Sequence, residues 1–86
     1  LAAPALDRAH DALTPRGEVV VPARVGNARE AGPAGFRTNV TVRTARRRFT
    51  AGPTPPPNAD GAARPVGVRL GPGRIRPGTL RVEVWR

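Results

Sequence analysis

Apolar and polar residues alternate most regularly over residues 36–43. Phe36, Thr38, Val40 and Val42 point one way, and Arg37, Asn39, Thr41 and Arg43 point the other. A period of two belongs to a strand with one buried and one wet face. The alternation fails at Ala45. Arg46, Arg47 and Arg48 then occupy both faces of the strand end, and Phe49 closes the run. Alternation returns near the C-terminus. Val66, Val68 and Leu70 face inward, with Gly67 and Arg69 outward. Leu80, Val82 and Val84 also face inward, with Thr79, Arg81, Glu83 and Trp85 outward. Between these runs, Gly71-Pro72-Gly73 and Arg76-Pro77-Gly78 carry turn chemistry. Together they predict a hairpin with a long, kinked connection.

The remaining segments follow different patterns. In residues 1–16, Ala5, Leu6, Ala9, Ala12 and Leu13 recur at helical spacing, Pro4 suits a first turn, and Pro15 and Gly17 end the run. This predicts an N-terminal helical arm. Residues 18–25 are rich in valine and read as a strand, with Pro22 marking an edge or a bulge. Residues 26–35 read as a loop. Residues 51–65 contain Pro-Thr-Pro-Pro-Pro and Asn-Ala-Asp-Gly, which predict a Pro/Gly-rich loop or extended arm.

The expected fold is therefore mainly β: a small antiparallel sandwich or open barrel of four to five short strands. A short N-terminal helix and a Pro-rich extended arm accompany it. Residues 17–86 form the single β domain. Its expected core is Val19, Val21, Val40, Val42, Val66, Val68, Leu70, Leu80, Val82 and Val84.

Composition sharpens this picture. Of the 86 residues, only 18 are Val, Leu, Ile or Phe, while 14 are Ala and 21 are Gly or Pro. So little bulky apolar side chain leaves a thin margin of stability, which favours a subunit completed by docking onto something larger. All fifteen basic residues are arginine, a usage that matches codon bias in a GC-rich genome. The formal net charge is +9, so acidic partners are favoured: an acidic protein surface, nucleic acid or an anionic membrane face. No apolar run is long enough to span a bilayer.

The chemistry available is narrow. With no Ser and no Cys, nucleophilic triads built on them are excluded. One His beside Asp7 and Asp11 makes no metal set, and no glycine loop matches a phosphate cradle. Neither an enzyme nor a cofactor is expected. Asn39-Val40-Thr41 matches the glycosylation acceptor pattern, but lies in the middle of a predicted strand.

The candidate partner-binding residues are Arg37, Arg43, Arg46, Arg47, Arg48, Arg69, Arg81 and Trp85. Arginine forks pair with carboxylate and phosphate, and tryptophan is a frequent interface anchor. Platforms for single-stranded nucleic acid need aromatics interleaved with the charge, and this chain offers only Phe36, Phe49 and Trp85. The leading expectation is a non-enzymatic structural subunit of a larger, multi-copy assembly of the virion or phage-particle kind. It would dock through β edges, the arm and the arginines. The alternative is a cytoplasmic basic protein that contacts nucleic-acid phosphates through Arg43 and Arg46 to Arg48.

Overall fold

The computed structural model describes residues 1–15, 17 and 19–86. Arg16 and Glu18, at the end of the predicted helical segment and the start of the predicted first strand, lie outside the described residues. The chain forms a helix α1 (Ala2–Leu13) and a 3-10 segment (Pro22–Glu30). Four strands follow: β1 (Arg37–Thr44), β2 (Arg48–Ala51), β3 (Asp60–Gly71) and β4 (Arg74–Trp85). The strands make one open antiparallel sheet in the order β2-β1-β4-β3. The fold is mainly β, and its second layer is the helix and the 3-10 segment rather than another sheet.

Register explains which residues are buried. Thr38, Val40 and Val42 of β1 stand opposite Val84, Val82 and Leu80 of β4. These six side chains share one face and are all buried. Against them packs the stripe Ala2, Ala5, Leu6, Ala9 and Leu13 of α1, also buried. The helix is thus part of the core. Its small alanines let it lie close to the sheet, and its stability comes from this packing rather than from its own propensity. Its ends are satisfied from outside. The Val21 amide donates to the Leu13 carbonyl at 2.9 Å. From mid-helix, the Arg8 Nε donates to the Ala31 carbonyl at 2.7 Å and ties α1 to the end of the 3-10 segment. At the start, the Ala2 amide donates to the Asp60 carboxylate at 2.9 Å, so β3 supplies an N-terminal cap that Leu1 cannot.

Among the described residues of the strand predicted over 18–25, only Val20 pairs with the sheet. Val20 forms a parallel bridge with Val68, donating to the Gly67 carbonyl and accepting from the Arg69 amide. Val20 is therefore the buried valine, in place of Val19 and Val21. From Pro22 onward the chain turns into the 3-10 segment, which also replaces much of the loop expected over 26–35. The reason is visible in the spacing. Pro22, Val25, Ala28 and Ala31 recur every third residue and are buried or partly buried. Three residues per turn aligns them in one stripe.

Two other boundaries move. The hairpin from β3 to β4 closes tightly at Pro72-Gly73, where Gly73 takes φ 69°, and Arg76-Pro77-Gly78 stays inside β4. Val20 bonds Gly67 on the outer edge of β3, so Gly67 and the facing Pro77 are a pair without ladder bonds between them. The missing N–H of Pro77 therefore points toward β1, whose pairing has already ended at Gly78. By the same alternation Pro65 turns its ring nitrogen to the outer edge of β3, where a proline breaks no ladder bond. Residues 60–65, expected in the Pro-rich loop or arm, belong to β3, so the connection from β2 is only 52–59. Its start is tied down, because the Asn39 amide nitrogen donates to the Pro53 carbonyl at 3.0 Å.

Candidate docking face

The sheet face opposite the helix carries the odd-numbered residues of β1, β3 and β4, with Arg48 and Thr50 of β2. This places Arg37, Arg43, Arg48, Arg69 and Arg81 on one face, as the alternation implies, with Trp85 paired to Arg37 at one end. Glu83 is the one acid among the described residues of this face. It meets Arg81 at 3.4 Å. Arg81 extends over Gly61, whose missing side chain makes room for the guanidinium. Trp85 is half-buried rather than fully presented, and Ile75 is exposed at the other end of the same face.

Arg46 and Arg47 leave this face. The Thr44 amide donates to the Arg47 carbonyl at 2.9 Å, and the Arg47 amide donates to Thr44 Oγ1 at 3.2 Å. This closes a tight turn that carries Ala45 and Arg46, so the arginine run bends around a hairpin tip instead of ending a strand. Arg47 then lies over the Phe49 ring at 5.3 Å, a cation–π contact. At this tip Arg46 and Arg47 share a cavity of about 280 Å³ with Arg74 and Arg76, over a floor that includes Leu70 and Pro77.

The turn fixes the geometry of the run's last member. Thr44 and Arg47 are a hydrogen-bonded pair, so the next pair, Arg43 and Arg48, is a non-hydrogen-bonded one. At such positions side chains stand closest, with Cα atoms about 4.5 Å apart. Two cations face each other there, an arrangement that destabilises a sheet. Arg81 is their diagonal neighbour across β4, since Arg43 pairs with Thr79. These arginines line one trench of about 170 Å³ with Thr41, Thr79 and Glu83.

Asn39 is part of this face but not of its accessible surface. It is 6% exposed, and its side chain bonds Pro53 and Thr41. The acceptor pattern at Asn39 is thus occupied by structure. Among the described residues no group of three His, Asp or Glu side chains comes together as a metal set, and no helix is long and apolar enough to cross a membrane. Sequence reasoning did not single out Arg74, Arg76, Thr41, Thr79 or Glu83 as lining residues. The register that gathers them depends on both hairpin turns, and only the alternation of Thr41, Thr79 and Glu83 hinted at it.

A family model matches residues 1–85, nearly the whole chain. The chain belongs to the family of unknown function DUF7285. No curated protein and no solved structure matches it. For this DUF7285 chain, the open sheet face carries five arginines against one acid.

Proposed function

We propose that this chain is a non-enzymatic structural subunit of a larger assembly, docking its open sheet face onto an acidic protein surface. The observation that carries the reading is the charge of that face: Arg37, Arg43, Arg48, Arg69 and Arg81 against Glu83 alone. The opposite face is already covered by α1 and the 3-10 segment, so docking here costs the chain no internal contact. The arginines supply register and association rate, and the half-buried Trp85 supplies apolar area at the rim. The β edges contribute less than their lengths suggest. Pro65 and the Val20 bridge interrupt the outer edge of β3, and β2 is only four residues long. The Pro-rich segment contributes least, since Asn39 holds its start against the sheet. Few aromatics stand on the face, which disfavours a base-stacking role.

The test is size-exclusion chromatography of native extracts, with the wild type and an Arg43→Glu/Arg48→Glu variant. The wild type is expected in a complex far larger than an 86-residue chain, and the variant as a free subunit. A variant that remains in the complex overturns the reading. Dispersal of the complex by nuclease favours contact with nucleic-acid phosphates instead.

A further inference from the structure

We infer that the trench between Arg43, Arg48 and Arg81 is a binding site for a doubly charged tetrahedral oxyanion, a phosphate or sulfate group. The inference rests on the open face being a docking surface and names the chemical group it grips. Three strands, β1, β2 and β4, each contribute one arginine to the lining of the same cavity, Arg81 with its guanidinium drawn toward Gly61 of β3. Arg43 and Arg48 stand directly opposite in the pair type that brings side chains closest, where like charges repel. Nothing in the fold requires this. Val42–Phe49 and Val40–Ala51 already fix the register from the core side. An anion seated between the two arginines turns the repulsion into attraction.

The group's charge and shape follow from the lining. Three cations against Glu83 leave a net charge of +2, which one dianion cancels. A planar carboxylate presents two oxygens in one plane and can satisfy two forks. A tetrahedral group presents oxygens in divergent directions and can meet both opposed forks with oxygens left for a hydroxyl of the lining. Thr79 adds a hydroxyl beside Arg43. Gly61 leaves the space in which Arg81 lies, and Glu83 holds that side chain at 3.4 Å. Arg81 is thereby fixed as the far wall of the trench, with its charge drawn toward β3.

The test compares thermal midpoints and calorimetric titrations of the full chain in phosphate, sulfate and acetate at matched ionic strength. Phosphate and sulfate are expected to raise the midpoint, and acetate is not. Arg48→Thr is expected to act in opposite directions. It removes the repulsive pair, so the midpoint rises in dilute chloride. It also removes one fork, so phosphate affinity falls by at least about tenfold. Arg24→Ala, exposed on the 3-10 segment behind the sheet, should leave the phosphate response unchanged. An equal response to acetate, or an undiminished phosphate response in both Arg48→Thr and Arg81→Gln, overturns the inference.

Short peptides carrying phosphoserine or sulfotyrosine, compared with their unmodified forms, distinguish the sources. Tighter binding of the modified peptide supports a group carried by a partner, and a response to the free ions alone supports a free anion. Failure of this inference is separable from failure of the docking reading. The chromatographic variant can leave the complex while small oxyanions show no preference, and oxyanions can bind while the variant stays in the complex.

Discussion

Gly78 shows how far a single position can depart from its local signal. It sits inside β4, flanked by Thr44 of β1 and Val66 of β3. A Cβ there would lie 2.6 Å from the Arg43 carbonyl oxygen and 2.7 Å from Val68 Cγ2. Neither backbone nor buried valine can yield freely, so Gly78→Ala is expected to destabilise the domain by about 1–3 kcal/mol. Urea unfolding should show this as a lower midpoint with unchanged slope. Arg76-Pro77-Gly78 reads as a turn because proline and glycine usually serve turns. Here the glycine answers a close approach, and the proline falls where β1 has stopped. Both reasons are tertiary, so a local window cannot contain them. Asn39 is similar. Its sequence offers an acceptor motif, while its fixed hydrogen bonds to the loop appear only once β2 is in place.

At the scale of elements, legibility followed the length of the pattern. The alternation over 36–43, 66–70 and 79–85 gave correct faces, because a slip of one residue would expose every valine. The Ala/Leu stripe gave the helix and its buried side. The valine-rich run over 18–25 misled, since β-branched composition outweighed a period of three that begins at Pro22. The loop read over 51–65 is too long because the Asp60–Pro65 half of β3 is exposed except at Ala62 and carries no apolar alternation.

The junction of α1 with that half of β3 yields a pH prediction. Bonding to the Ala2 amide, then to the terminal amino group, holds the Asp60 carboxyl below its ordinary range. A lowered carboxyl pKa contributes stability above the unfolded value of about 3.9, and that contribution is lost as pH falls through the folded value. The thermal midpoint of the wild type is therefore expected to drop more below about pH 4 than that of Asp60→Asn. The two curves should converge at the acid end. Parallel curves over the whole range would remove Asp60 from the account of acid stability.

At the scale of the molecule, charge is the property that most shapes behaviour. A net charge of +9 on a domain with a 12.0 Å radius of gyration opposes compaction. The ion pairs that relieve it, such as Arg64–Asp7 at 3.7 Å, are exposed and weak. Raising sodium chloride from dilute buffer to about 0.15 M should therefore raise the thermal midpoint, because the screening length shrinks to about 8 Å. A midpoint that falls with salt would mean that attraction dominates the surface. The mainly β class, the helix and the strands β1, β3 and β4 were legible from periodicity, while β2, four residues after the arginine turn, was not. The single-sheet architecture was not, since whether a sheet's cover is helical or another sheet depends on how three-residue and four-residue spacings share the work.

The ring nitrogen of Pro65 has a consequence for how copies of this chain can meet. A neighbour that tried to zip along the outside of β3 would find a tooth missing midway and a valine already seated beyond it. Continuous ribbons are closed off by this one residue, and stacking by broad surfaces is left as the geometry of association.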